Sequence, residues 1–271
     1  HPWLKAADKA AVRIAMTVAI KGEREGVLAE VVRETGLNTD TPLVGLDTLE
    51  GKVRADLTVG ADFGSTRQLL ANDTLSSRGV VLHGAGFIVT PAQARSLGLG
   101  TIRGLERHIV EYRNGRDLAQ RSRGSMVIDL YSLSVEDVQY RFPAVYQHVL
   151  ENLKPERDHN KRDYRRINWW LFGENIPEAR KVLFSVPRYI ATVETTKHRF
   201  FQFLIADVLP DNKLLAIGVE GADLLSVLSS RLHIAWAIAS GGWMGIGNDP
   251  VYAKSETFDP FPFPLSVDPT L

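Results

Sequence analysis

The chain changes character near Ser76. Before that point the stretch from Glu34 to Asp56 is polar, rich in Gly and Asp, and without clear periodicity. After it apolar runs recur, as in "GVVLHGAGFIVTPAQARSLGL" and "SMVIDLYSL". A shift of this kind divides the chain near Leu75 into residues 1–75 and 76–271. The 271 residues, 44% hydrophobic and 24% charged, suffice for one large or two modest domains with a real core. The chain has no cysteine, which removes disulfides, thiolate metal sites and thiolate nucleophiles. No apolar run approaches the roughly 18–20 residues that cross a bilayer. A cytoplasmic protein with no membrane partner is expected.

Local patterns predict the elements. "AVRIAMTVAI" (11–20) reads as a strand turning at "KGEREG" into a returning strand, "GVLAEVV". "STRQLLAND" reads as a short helix capped by Ser65. Thr90 caps a further helix, and Pro91 suits its first position, where no amide donor is needed. "SVEDVQYRFPAVYQHVLENL" is helical with a break at Pro143. "SMVIDLYSL", "RYIATVETT", "RFFQFLIADVL" and "KLLAIGV" read as strands. Apolar residues at 224, 225, 228, 232, 235 and 236 predict one helix over "GADLLSVLSSRLHIAWAIAS". The tail "FDPFPFPL" reads as extended. The mixture implies an α/β part followed by an α+β part.

Charge is zero overall but uneven. From Lys154 to Arg199 eleven Lys/Arg face six Asp/Glu, an excess of five, concentrated in "KRDYRR" and "TTKHR". Trp169-Trp170 and Phe200-Phe201 lie beside these clusters. A smaller excess, six arginines against three acids, runs from Arg103 to Arg123. Basic patches interleaved with aromatics suit a phosphate backbone, where Lys and Arg displace condensed counterions. The competing reading is a solvated basic face, or an interaction domain binding an acidic partner. The tryptophans read as core, or as one ring inward and its neighbour outward.

Catalytic patterns are weak. His198 and His233 have no ligand-spaced partner, so no metal site is expected. "GAGF" lacks the third glycine and the acidic residue of a dinucleotide fingerprint, and no P-loop lysine follows "GIGNDP". No nucleophile elbow is present. The residues by themselves identify no catalytic group.

The segments "GAGFIVTPAQARSLGLG", "YRNGRDL", "MVIDLYSLS", "RFPAVYQHV", "KPERDHNKRDYRRINWWLFGE", "PRYIATVETTKHRFFQFL", "LSSRLHIAW" and "GNDPVYAKSETFDPFPFP" occur in this order. In that order they resemble the C-terminal part of adenine-specific DNA methyltransferases of single-chain, type IIG-like restriction-modification enzymes. The resemblance covers almost the whole chain. It implies that residues 1–75 end a methyltransferase core and that 76–271 form a target recognition domain. The opening "HPWLKAADKAAVRIAMTVA", without an initiator methionine, fits the last strand region of that core.

The resemblance implies double-stranded DNA as partner. It also implies a longer parent protein whose N-terminal catalytic part uses S-adenosylmethionine. The family's Gly-rich cofactor motif and its Asn-Pro-Pro-aromatic motif do not occur in these 271 residues. The fragment alone is therefore expected to hold no cofactor and to be inactive. "DYRRINWWLFGE" is expected to be a strand entering the recognition domain. Lys161, Arg162, Arg165, Arg166 and Arg231 are the expected phosphate contacts. Thr195, Thr196, Lys197, His198 and Arg199, at a turn between strands, are the expected base readers. Strand alternation would put Lys197 and Arg199 toward DNA, or Thr196 and His198. The alternative is that Lys197 and Arg199 hold phosphates only.

Overall fold

The computed structural model describes residues 15–36, 39–54, 57–60, 63–244 and 249–264. Its first element is an antiparallel hairpin of β1 (Gly26–Thr35) and β2 (Leu43–Gly51), with a register shift between Val31 and Arg33. The expectation that β1 returns against 11–20 is corrected. Residues 11–14 lie outside the described residues, and 15–20 form no strand. The partner is the stretch that lacked periodicity. Leu43, Leu46 and Leu49 fall every third residue, so β2 does not show the alternation of a half-buried strand.

Two four-stranded sheets carry the rest. The first runs β3 (Ser76–Arg78), β10 (Leu214–Ile217), β7 (Arg188–Val193), β8 (Gln202–Ile205), all antiparallel. The second runs β4 (Ile88–Val89), β6 (Met126–Ile128), β5 (Ile109–Arg113), β9 (Val208–Pro210), with β5 and β9 parallel. "RFFQFLIADVL" is thus two strands in different sheets, because the chain turns at Ala206-Asp207. β11 (Trp243–Met244) and β12 (Asp249–Pro250) form a short ladder near the end. At the junction of the two large sheets Val80 N donates to Pro210 O at 3.0 Å. Gly79 must be glycine there, since a methyl group would overlap the Pro210 carbonyl oxygen.

Strand alternation divides the core. Tyr189, Ala191 and Val193 of β7, with Leu214 and Ala216 of β10, join the larger core with Phe87, Val127, Val149 and Phe172. The opposite faces, Ile190, Leu215 and Ile217, join a second core with Leu228, Ala237, Tyr252 and Phe258. The first sheet is therefore buried on both faces, which explains its continuous apolar runs.

Nine α-helices lie among the described residues. α1 (Pro91–Ser96) begins as expected, with Thr90 and Gln93 in a reciprocal capping box. α2 (Gly115–Ala119) is capped by Asn114, and α3 (Val135–Arg141) by Ser134. The break before Pro143 is found, and α4 (Pro143–Asn152) follows. α5 (Lys154–Asp158), α6 (Asp163–Ile167) and α7 (Pro177–Phe184) come next. The helix expected over 221–240 is two, α8 (Ala222–Ser229) and α9 (Arg231–Ser240). Ser230 is extended between them, and its hydroxyl accepts from His233 N at 3.2 Å. Both helices keep the apolar spacing, so the spacing does not reveal the interruption.

Three further expectations are corrected. Ser65–Asp73 forms a short 3-10 turn at Phe63–Ser65 and then turns, not a helix. The Asn72 amide donates to the carbonyls of Asp259 (2.9 Å) and Phe261 (2.8 Å), and these distant contacts override local propensity. The tail is extended only in part: a wide helical turn covers Lys254–Phe258 and a turn follows at 259–260. Leu265 lies outside the described residues. Finally, "DYRRINWWLFGE" is the helical turn α6 followed by a loop, not a strand. Asp163 and Arg166 pair at 2.5 Å across three residues, a helical spacing that a strand cannot bridge. Glu174 then bridges Val81 through its backbone.

Candidate nucleic-acid interface

α6 decides how the "KRDYRR" side chains are presented. Successive side chains on a helix diverge by about 100°, so adjacent arginines face different surroundings. Lys161 is exposed, and the Arg162 side chain is 69% exposed. Arg166 is held by Asp163 and donates to Asn160 O at 3.2 Å. Arg165 turns inward with its side chain 10% exposed and Nη2 3.6 Å from Glu174 Oε1. The expectation that Arg165 faces phosphate is therefore corrected: it belongs to the interior of the cluster. Arg231, the first residue of α9, is exposed.

Behind α6 lies Arg157, 1% exposed, whose Nη2 donates to Leu82 O (3.0 Å) and Leu171 O (3.2 Å). Burial, and then the Arg165 charge, lower its pKa. Arg78 of β3 reaches Glu174 Oε2 at 2.6 Å. Sequence reading missed both Arg78 and the role of Glu174. Arg78 is a lone arginine nearly a hundred residues from its partner, and the pairing of Val81 with Glu174 brings them together. Neither tryptophan is a free stacking surface. Trp169 is buried, and Trp170 packs on the larger core and donates from Nε1 to Leu133 O at 3.0 Å.

The basic stretch from Arg103 to Arg123 is partly neutralised. Arg123 forks onto Asp117 at 2.8 and 2.9 Å, and this hydrogen bonding brings the Asp117 carboxyl down to about 2. Arg113 pairs with Glu111.

The turn between β7 and β8 has an inner and an outer side. The backbone leaves the sheet at Glu194, whose N donates to Lys213 O at 2.8 Å. Thr195 bridges Val251, and Thr196 N donates to Pro250 O at 3.4 Å. The Thr195 hydroxyl donates to Met244 Sδ at 3.4 Å and that of Thr196 to His198 O at 3.2 Å. Arg199 points inward. It donates to Thr192 Oγ1 (3.1 Å), Glu194 O (3.3 Å), Pro250 O (3.2 Å) and Val193 O, with its guanidinium carbon 4.9 Å from the Tyr252 ring centre. Burial lowers its pKa to about 10. Lys197 and His198 are left exposed, side by side. Strand alternation does not apply, because the segment is a loop. With Ile234, Ile238 and Pro250 these residues border a cavity of about 240 Å³.

Two outward basic elements thus result, Lys161-Arg162 just before α6 and Lys197-His198 on the turn. Among the described residues no group of three or more His, Asp or Glu could hold a metal ion. No helix among them is long and apolar enough to cross a membrane.

No protein-family model matches the chain, and no curated protein does. Among solved structures it matches the Type IIL restriction-modification enzyme MmeI, determined in complex with DNA, with a TM-score of 0.65 and 14% identity. The match covers 92% of this chain and 32% of that one, so the chain spans about a third of the enzyme it resembles. At this identity the likeness is one of fold, shared with part of a restriction-modification enzyme.

Proposed function

We propose that this chain is the double-stranded DNA recognition part of an adenine-N6 DNA methyltransferase of the restriction-modification type. In this reading residues 1–75 end the methyltransferase core and 76–271 form the target recognition domain. S-adenosylmethionine and the catalytic groups belong to an N-terminal part of the same cytoplasmic protein. The observation that carries the reading is the turn at 194–199. On a fold shared with a DNA-bound enzyme, it presents Lys197 and His198 outward while Arg199 locks the backbone beneath them. Such an arrangement suits base reading, which needs donors held on a rigid support. Lys161, Arg162, Arg166 and Arg231 are the proposed phosphate contacts.

The β1–β2 hairpin supports the assignment of residues 1–75. It exposes Val27, Val32, Leu43, Leu46 and Leu49. Two strands with so much apolar surface are what an excised piece of a larger sheet presents.

A titration of the chain against random duplex DNA at two salt concentrations tests the proposal. Binding should weaken steeply with salt, because displaced counterions dominate the affinity. Absence of binding, or binding indifferent to salt, would refute it, and saturable binding to an acidic protein instead would favour an interaction domain.

A further inference from the structure

Glu174 stands among three arginines drawn from two distant parts of the chain. Its Oε2 lies 2.6 Å from Arg78 Nη2, and its Oε1 lies 3.6 Å from Arg165 Nη2 and 3.9 Å from Arg162 Nη1. Its backbone is fixed, since Glu174 and Val81 exchange hydrogen bonds of 3.1 and 3.3 Å. Gly173, just before it, lies under the His83 ring so closely that a side chain would overlap it. One carboxylate therefore faces three guanidinium groups, with Arg157 buried behind them.

We infer that Glu174 holds, in the DNA-free protein, the place of a backbone phosphate, and that a duplex phosphate takes Arg78 and Arg162 from it on binding; this rests on the DNA-recognition reading above. Carboxylate and phosphate oxygens accept from the same guanidinium fork. The two exchangeable arginines are the accessible ones: the side chains of Arg78 and Arg162 are 58% and 69% exposed. Arg165, at 10%, stays with Glu174 and keeps that carboxylate neutralised.

The phosphate approaches from the α6 side. On the other side Arg78 and Glu174 border a cavity of about 580 Å³ that also carries Asp73, Glu178 and Lys254. The lysine is already paired with Asp259 and Asp73, so the acids make that side unfavourable to an anion. Arg162 and Arg165 do not line that cavity. Glu174 then has two opposed effects. It keeps the arginines in position, and it competes with DNA for them, so that duplex binding is weaker than the arginines alone would give.

The test is a salt series of random-duplex binding by the full chain and two variants. Glu174→Gln should bind more tightly, with an unchanged slope of log affinity against log salt, because the same phosphates are neutralised in both complexes. Arg78→Ala should bind more weakly, with a slope shallower by roughly 0.9. As a readout independent of DNA, inorganic phosphate should raise the thermal midpoint of Glu174→Gln more than that of the unsubstituted chain. A folded Glu174→Gln protein with unchanged affinity overturns the inference. If Glu174→Gln does not fold, an unchanged slope in Arg78→Ala overturns it equally. Either result, beside salt-dependent binding by the unsubstituted chain, leaves the DNA reading standing. Loss of binding in the unsubstituted chain overturns both.

Discussion

His233 Nε2 lies 2.8 Å from the Tyr252 hydroxyl, inside a box of rings formed by Phe201, Tyr252, Phe261 and Phe263. The imidazole is fully buried, and Nδ1 has no partner among the described residues. Burial, aided by the Arg199 charge, lowers its pKa to about 4 from the ordinary 6.5. The folded protein therefore keeps His233 neutral where the unfolded chain would protonate it. The contribution is complete above pH 6.5 and is lost as pH falls through 6.5 toward 4. The loss amounts to about 3 kcal/mol at most. Urea unfolding at pH 7.5 and 4.5 should show it, and His233→Phe should remove most of the difference. An equal pH dependence in the variant would assign the effect to other groups.

A second prediction concerns the support of Glu174. Arg180 of α7 forks onto Asp129, just beyond β6, at 2.7 and 2.9 Å, with both side chains nearly buried. Arg180 Nε also donates to Asn175 O, the residue after Glu174, at 3.3 Å. Asp129→Ala leaves a buried guanidinium without its partner and should cost about 3–5 kcal/mol. Replacing both residues with apolar ones of similar volume should recover much of that loss. Denaturant midpoints of the single and double variants decide it, and a single-variant loss under about 1 kcal/mol would contradict the account.

The basic cluster in α6 and just before it should divide into two kinds of residue. Lys161→Ala with Arg162→Ala should weaken binding equally for all duplex sequences, because phosphate contacts carry no direct sequence information. The salt slope should shrink by roughly 0.9 for each phosphate no longer neutralised, with little change in thermal midpoint. Arg165→Ala should instead destabilise the fold by about 1–3 kcal/mol, since it removes packing and a partner of Glu174. Melting curves beside salt titrations separate the two outcomes. A normal melting point with a reduced slope in Arg165→Ala would place that side chain back on the proposed phosphate-contacting surface.

What could be read in advance follows the range of the interactions. The Thr90 cap, the break at Pro143, and the strands at 126–128, 188–193 and 214–217 rest on neighbours a few residues apart. The turn of Ser65–Asp73 is set by carbonyls about 187 residues away, at Asp259 and Phe261. The site divides in the same way. Its basic composition is local, so "KRDYRR" and "TTKHR" are visible as candidates. Which side chains face outward depends on tertiary contacts. Arg165 turns in because Glu174 is carried beside it by pairing with Val81, and Arg199 turns in because Pro250 offers a carbonyl from the far end of the chain. Charge patterns alone cannot tell a buried arginine from an exposed one.

The last prediction concerns which sequence is bound. Lys197 and His198 are the exposed members of the turn, whereas Arg199 directs its donors to Thr192, Val193, Glu194 and Pro250. Lysine can donate to both O6 and N7 of guanine in the major groove, and a good pairing of this kind discriminates by about 1–3 kcal/mol against the wrong base. Lys197→Ala and His198→Ala should therefore change the duplexes enriched from a randomised pool at one or two positions, without lowering stability. Arg199→Ala should behave otherwise. It leaves four acceptors without this donor, at Thr192, Val193, Glu194 and Pro250, and should lower both the thermal midpoint and the recovery of every duplex, with no new preference. Sequencing the enriched pools for each folded variant provides the measurement. If Lys197→Ala and His198→Ala both recover the original site and no other, the turn holds phosphates only, and base reading lies elsewhere on the domain.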